Sequence, residues 1–156
     1  MFWNRPAAAA GLHPQNGDIM PTLNGVLETA LYVDDLDRAR RFYEEVIALS
    51  PIYQDPRLCA YAVGTRSVLL LFQRGAALET VVMPGGTIPP HDGSGPLHVA
   101  FAISASELPA WEETLRLHHV PIEGRTQWKR GGHSIYFRDP DGHLLELATP
   151  GLWTIY

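Results

Sequence analysis

The hydrophobic positions along the chain show the same succession of strand-like and helix-like patterns twice. Residues 26–33 alternate as a strand does, and the stretch after Asp34 and Asp35 repeats apolar side chains at three- and four-residue steps, as an amphipathic helix does. The two aspartates offer side-chain oxygens to cap that helix, and Pro51 prevents its continuation. Three strand candidates follow at residues 52–54, 60–63 and 68–73. The pattern predicts a strand–helix–three-strand unit.

The same order returns after residues 84–96, a segment rich in glycine and proline that we interpret as a linker or binding loop. Residues 97–104 form a strand candidate, and Ser106 can cap a helix that ends before Pro121. Strand candidates follow at Ile122 and at residues 134–138 and 143–148. An internal duplication explains this repetition better than a generic α+β domain with accidental symmetry.

The repeat divides the chain into five parts. We expect a flexible tail at residues 1–22, a first βαβββ module at 23–83, the linker at 84–96, a second βαβββ module at 97–150 and a short tail at 151–156. The last two strands flank Asp139-Pro140-Asp141-Gly142, a tight-turn sequence. A two-residue turn at Pro140-Asp141 would place Ile135 opposite Glu146, so that Tyr136 would need a β-bulge to face the same side.

Composition narrows the possible partners. The 156 residues are 46% hydrophobic and 19% charged, with a formal net charge of −5, and they contain no basic stripe, so we expect no nucleic-acid partner. No apolar run has the length of a membrane span, so we expect no membrane partner. The single cysteine, Cys59, excludes an internal disulfide and favours a reducing compartment, which we take to be the cytoplasm.

Three polar residues interrupt faces that are otherwise apolar or small. Strand alternation places Glu28, His98 and Glu146 opposite the aliphatic sets, which we expect to pack on the two helices. Burying unpaired carboxylates is costly, and one divalent cation would compensate two carboxylates and a neutral imidazole. Each residue alone also fits a simpler interpretation: a solvated strand residue, a core histidine, or a carboxylate paired with a basic side chain. Their corresponding places in the repeat favour a shared metal ion.

Three segments resemble a known superfamily, the vicinal oxygen chelate proteins, over residues 25–150. They are Leu31-Tyr32-Val33-Asp34-Asp35-Leu36 with Phe42-Tyr43, then Gly95-Pro96-Leu97-His98-Val99-Ala100-Phe101, and last Tyr136-Phe137-Arg138-Asp139-Pro140-Asp141-Gly142-His143-Leu144-Leu145-Glu146-Leu147. The superfamily includes glyoxalase I, extradiol dioxygenases, fosfomycin-modifying enzymes and bleomycin resistance proteins. The resemblance implies an α+β fold of two tandem βαβββ modules that form an open, curled sheet around a central site, with the helices outside.

The resemblance also implies a site. Carried over residue by residue, the metal ligands are Glu28, His98 and Glu146, and a homodimer is expected, with the site either inside one chain or between modules of two chains. The position of a fourth ligand in glyoxalase I is occupied by Leu70, which cannot bind a metal. Catalytic candidates are Glu28, Glu146 and Tyr136, and substrate-binding candidates are Tyr32, Phe72, Trp128 and Arg130.

The implied function is a divalent-metal-dependent enzyme with a lyase- or isomerase-like activity on a small molecule chelated through two neighbouring oxygens. The metal identity stays open among Mn, Fe, Ni and Zn. One alternative is a non-catalytic protein that sequesters a drug or metabolite. Another is an extradiol-type Fe(II) dioxygenase, although Glu28 at the place of a histidine favours harder ions.

Overall fold

The computed structural model describes residues 21–155. Two four-stranded sheets carry the fold, each with one helix. The first module contains β1 (Glu28–Val33), α1 (Leu36–Glu45), β2 (Pro51–Gln54), β3 (Leu58–Val63) and β4 (Ser67–Gln73). A hairpin of β5 (Val81–Met83) and β6 (Gly86–Ile88) follows. The second module contains β7 (His98–Ala102), a 3₁₀ turn (Ala105–Glu107), α2 (Leu108–Leu117), β8 (Gly124–Gln127), β9 (His133–Arg138) and β10 (Leu144–Ala148).

The two sheets have the same topology. Their strand orders are β1-β4-β3-β2 and β7-β10-β9-β8, and in each the first strand of the module runs parallel to the last while the other pairs are antiparallel. The predicted α+β fold of two βαβββ units is therefore confirmed. The prediction for residues 1–22 falls mainly outside the described residues.

One apolar face of each sheet packs on the helices. In β1 the inward set is Leu31 and Val33, and in β10 it is Leu145 and Leu147, all of them 1% exposed or less. Tyr43 of α1 lies in the same cluster, so the two modules share one core. Each fully buried leucine contributes about 2 kcal/mol of hydrophobic free energy, so these alternating positions fix which face of each strand points inward. We call the opposite face of each sheet its open face.

Helix α1 begins as the sequence indicates. The side chain of Asp35 accepts a hydrogen bond of 2.9 Å from the backbone N–H of Arg38, which satisfies one of the unpaired donors of the first turn. The second helical segment begins differently from the prediction, because Ser104 and not Ser106 precedes it. The carboxylate of Glu107 accepts a 3.1 Å hydrogen bond from the Ser104 backbone N–H.

The turn between β9 and β10 corrects the predicted register. The backbone N–H of Gly142 donates to the carbonyl of Asp139 at 3.0 Å, and the backbone N–H of Asp139 donates to the carbonyl of His143 at 3.1 Å. This is a three-residue loop, and its last position has φ of 83°, which glycine adopts without strain. Tyr136 therefore pairs directly with Glu146, and the predicted bulge is absent from this hairpin.

Two further strand predictions differ from the structure. The second strand of the second module is Gly124–Gln127 and does not include Ile122. Backbone hydrogen bonds pair this strand with β9, and it has no alternating apolar pattern. The hairpin β5–β6 extends into residues 84–96, the segment interpreted as a linker. Within residues 21–155, neither helix is long and apolar enough to cross a membrane.

The β9–β10 turn joins the second module to the first. The hydroxyl of Tyr43 on α1 donates to Asp139 Oδ2 at 3.0 Å, and Arg38 Nη2 lies 2.9 Å from Asp141 Oδ1. The imidazole of His143 is fully buried between the two modules. The turn that aligns Glu146 is thus also the junction between the modules.

Candidate metal centre

His98 and Glu146 lie on neighbouring parallel strands of the second sheet. His98 is the first residue of β7 and pairs with Leu144, while Glu146 follows two positions later on β10. Because side chains two residues apart share a face, the two side chains meet on the open face. His98 Nε2 is 3.3 Å from Glu146 Oε2.

The protonation of His98 is set by its second nitrogen. His98 Nδ1 lies 3.0 Å from the backbone carbonyl of Leu144, and a carbonyl oxygen can only accept a hydrogen bond. The proton of a neutral imidazole is therefore on Nδ1, and the lone pair of Nε2 points towards Glu146. Such a hydrogen bond from the remote nitrogen to a carbonyl is the usual support of a metal-binding histidine.

The carboxylate of Glu146 is buried and has few partners. Its side chain is 5% exposed, whereas that of His98 is 49% exposed. Tyr136, directly opposite on β9, donates its hydroxyl to Glu146 Oε1 at 3.2 Å. Burial, and then the negative charge of Glu146, raise the pKa of the Tyr136 phenol, so Tyr136 stays protonated and acts as a donor. Its hydrogen bond leaves Oε2 directed towards His98.

These donors fit a divalent cation. A neutral imidazole lone pair and a carboxylate oxygen at 3.3 Å repel each other unless a proton or a metal ion lies between them. Metal–ligand bonds of about 2.0–2.2 Å at tetrahedral angles separate neighbouring donor atoms by about 3.3–3.5 Å. The pair therefore has the separation of two ligands of one ion, and the half-exposed histidine leaves the other positions open to solvent.

Glu28, the third predicted ligand, is not brought to this pair within the chain. It begins β1 in the other module, is exposed, and makes no hydrogen bond or ion pair within residues 21–155. In that part of the chain no three histidine, cysteine or acidic side chains form a group that could hold a metal. One chain brings two of the three predicted ligands together, and the metal-binding role of all three stays a prediction.

Tyr32 and Phe72 lie together, but away from His98 and Glu146. They are paired residues of β1 and β4 with ring centroids 5.8 Å apart. His91, from the segment between the modules, covers them: Tyr32 Oη is 2.8 Å from His91 Nδ1, and the Phe72 and His91 rings are 4.8 Å apart. The carbonyl of Gly93 also accepts a hydrogen bond from Arg74. The chain's own loop therefore occupies the surface that we predicted to bind substrate.

Trp128 lies beside Tyr136 at the other edge of the second sheet. Its indole N–H donates to Ser134 Oγ at 2.8 Å, and Ser134 is buried on the same face of β9 as Tyr136. Arg130 lies in the exposed turn that follows, with no side-chain partner among the described residues. Through Ser134, Trp128 thus contacts the face of β9 that carries Tyr136, and the substrate-binding roles of Trp128 and Arg130 stay predictions.

Three residues that support or cover the predicted site were not singled out from the sequence. His91 had no periodic signal because it lies in an irregular loop. Ser134 stood inside a predicted strand without a visible partner. His143 was taken only as part of a turn motif, although the motif could have drawn attention to it.

Comparison with known proteins agrees with the fold. The sequence profile of the Glyoxalase/Bleomycin resistance protein/Dioxygenase superfamily matches residues 25–147. The chain is 30% identical over 129 residues to the metallothiol transferase FosB of Shouchella clausii, covering 81% of each protein. It is 28% identical over 126 residues to the fosfomycin resistance protein FosX of Listeria innocua, covering 80% of this chain and 89% of that protein.

A solved structure is similar over nearly the whole fold. The lactoylglutathione lyase of Agrobacterium tumefaciens superposes with a TM-score of 0.77 at 32% identity, covering 86% of this chain and 99% of the lyase. The named relatives therefore include a transferase, a resistance protein and a lyase that share one fold.

Proposed function

Because the chain belongs to the glyoxalase/bleomycin resistance protein/dioxygenase superfamily, we propose that it is a divalent-metal-dependent enzyme that binds a small substrate through two neighbouring oxygens. His98 and Glu146 are the metal ligands from one chain. The observation that carries this proposal is the 3.3 Å separation of His98 Nε2 and Glu146 Oε2, with the imidazole proton committed to the Leu144 carbonyl on the opposite side of the ring.

Glu28 is the third ligand, and a second copy of the chain supplies it. Its exposure and its lack of a polar partner within residues 21–155 support this assignment. The functional protein is then a homodimer in which the first module of one chain faces the second module of the other. Two carboxylates and one neutral imidazole balance the charge of a divalent ion.

The roles of the side chains follow from their surroundings. A bound divalent ion supplies Lewis acidity to the substrate oxygens. Tyr136 holds Glu146 in place through Oε1 and keeps its own proton. Glu28 is the carboxylate that can leave the metal and act as general base, because Tyr136 holds Glu146 in place through Oε1. Trp128 and Arg130 bind the part of the substrate that extends beyond the metal.

The substrate class is tested with the compounds that the relatives' names contain. Metal-free protein is reloaded with Mn²⁺, Ni²⁺, Zn²⁺ or Fe²⁺ and incubated with fosfomycin and a thiol, with fosfomycin alone in water, and with lactoylglutathione. We expect turnover of one of these that a chelator abolishes and that added metal restores. The Glu146→Gln variant should be inactive. The control variant Glu123→Gln, at an exposed position, should retain activity.

Other results would change the assignment. Saturable binding of a compound without turnover, unaffected by a chelator, would support a non-catalytic sequestering protein. Turnover of a catechol that requires both Fe²⁺ and oxygen would support a dioxygenase. The first result would overturn the proposed metal-dependent enzyme, and the second would replace the lyase- or isomerase-like activity expected from the sequence with an oxidative one.

A further inference from the structure

His143 is a buried histidine that the proposed function does not use. It is the last residue before β10 and is 0% exposed. Its Nδ1 accepts a 3.0 Å hydrogen bond from the backbone N–H of Leu97, and its Nε2 lies 2.9 Å from the backbone carbonyl of Tyr32. One imidazole therefore joins the end of β1, in the first module, to the residue that precedes β7, in the second.

Both partners of His143 have fixed roles. A backbone N–H can only donate and a backbone carbonyl can only accept, so Nδ1 carries no proton and Nε2 carries one. The imidazole is neutral in this tautomer, and its two nitrogens are both satisfied inside the core. The other tautomer fits neither contact. It would place two N–H groups opposite each other at Leu97 and an unprotonated nitrogen opposite the carbonyl of Tyr32.

The contact with Leu97 leads directly to His98. Leu97 is held at its N–H by His143, and its carbonyl accepts a 2.8 Å hydrogen bond from the backbone N–H of Leu144. The carbonyl of Leu144 in turn accepts from His98 Nδ1. Three hydrogen bonds thus connect His143 with the imidazole of His98 through the start of β7 and β10.

We propose that His143 is a positioning residue that fixes the backbone before His98 and thereby aims His98 Nε2 at Glu146. This proposal deepens the proposed function, on which its metal-binding readout rests. The contact with Leu97 carries the effect, and the contact with Tyr32 only joins the two modules. The other contacts at this junction, Tyr43 with Asp139 and Arg38 with Asp141, do not include any residue of β7.

Two substitutions separate the contacts of His143. In His143→Asn the side-chain oxygen stands at the position of Nδ1 and can still accept from Leu97, but no group reaches Tyr32. In His143→Gln the amide nitrogen stands near the position of Nε2 and can still donate to Tyr32, but the acceptor for Leu97 is displaced. Each variant loses one hydrogen bond, so a purely structural role predicts similar thermal midpoints and similar metal affinity for the two.

The metal affinity of wild type and both variants is measured by calorimetric titration with Mn²⁺. Substitutions in the residues that support metal ligands typically lower affinity about 10- to 100-fold. We expect that loss in His143→Gln, and a dissociation constant within about threefold of wild type in His143→Asn, because only the latter keeps the support behind His98. Equal losses, or no loss in either variant, would overturn the proposal.

A second readout needs no metal. Nitrogen NMR shifts of the imidazoles in metal-free protein report the tautomer of His98. We expect the Nδ1–H form in wild type and His143→Asn, and a mixture of tautomers in His143→Gln. If the wild-type protein binds no Mn²⁺, the proposed function fails. The positioning role of His143 is then tested by the tautomer of His98 alone. If His143→Gln does not fold, a loss of the Nδ1–H form in His143→Asn overturns the proposal and its retention supports it.

Discussion

The two modules share strand order and register but differ in what their open faces carry. The pairing of β1 with β4 corresponds to that of β7 with β10, so equivalent positions can be read from the register. The proposed metal ligands of the second module, His98 and Glu146, and the supporting Tyr136 correspond to Glu28, Leu70 and Ala60 in the first. The polar cluster is therefore complete only in the second sheet.

The aromatic residues show the opposite distribution. Tyr32 and Phe72 of the first module correspond to Ala102 and Ala148 of the second. In the first module the two rings and His91 fill the open face, whereas the second module has alanines at the two equivalent positions. One duplicated backbone thus carries an aromatic cluster on the open face of one module and a polar cluster on that of the other.

Phe72→Ala removes one aromatic ring from the open face of the first module. Phe72 is buried between Tyr32 and His91, so its removal leaves a cavity and should lower the free energy of unfolding by about 3 kcal/mol. Urea denaturation measures the change, and Mn²⁺ affinity should stay as in wild type. The exposed variant Ile52→Ala should change stability by less than about 0.5 kcal/mol. A loss of Mn²⁺ affinity in Phe72→Ala would contradict the division between the modules.

The proposed metal site depends on Glu146, and the same change at an exposed glutamate provides the control. Glu146→Gln keeps the shape but removes the charge, so we expect Mn²⁺ affinity to fall about 100-fold, or about 2.7 kcal/mol. Glu123→Gln, at an exposed position of the second module, should leave the affinity unchanged. Calorimetric titration compares the two, and equal losses would show that the effect is a general disturbance of the sheets.

Tyr136 supports Glu146 through one hydrogen bond, which Tyr136→Phe removes. The affinity for Mn²⁺ should fall about tenfold, as is typical of a lost support to a metal ligand. Tyr53→Phe removes an exposed hydroxyl that donates to Asp55, and should have no effect on affinity. A Tyr136→Phe variant with wild-type affinity would mean that Glu146 is held by its backbone alone.

The junction between the modules has a smaller, pH-dependent contribution. Burial raises the pKa of Asp139 above its ordinary value of 3.8, although hydrogen bonds from its neighbours oppose this. Because the folded-state pKa is the higher one, the proton stabilises the fold below pH 3.8, and this contribution is lost as the pH rises through the folded-state pKa. Urea denaturation across that range should show this decline in wild type and not in Asp139→Asn. Parallel curves would contradict it.

The sequence was sufficient for the elements that bury apolar faces. Strands β1 and β10 and helix α1 alternate or repeat apolar residues strongly, and Leu31, Val33, Leu145 and Leu147 are buried as predicted. Leu27 was placed in the same inward set and is 71% exposed, because it precedes the first residue of β1. Strand β8, Gly-Arg-Thr-Gln, has no such pattern and is fixed by its pairing with β9. The hairpin register depended on whether the turn used two residues or three, which the glycine at position 142 alone does not decide.

The site was predictable only in part, for a related reason. Alternation predicts the face of a strand, so His98 and Glu146 were placed on one side correctly. Alternation does not predict the path of a loop, so no pattern in the sequence indicated that His91 packs against Tyr32 and Phe72. Nor does alternation say how the open faces of the two modules are arranged, and Glu28 lies apart from His98 and Glu146 within one chain.

The most direct test of the central claim is pulsed electron paramagnetic resonance on protein loaded with one equivalent of Mn²⁺. If His98 and Glu146 hold the ion, the spectrum contains the coupling of a single imidazole nitrogen, and His98→Gln removes it. Absence of nitrogen coupling in wild type, or its persistence in His98→Gln, would contradict the assignment of the metal to the open face of the second module.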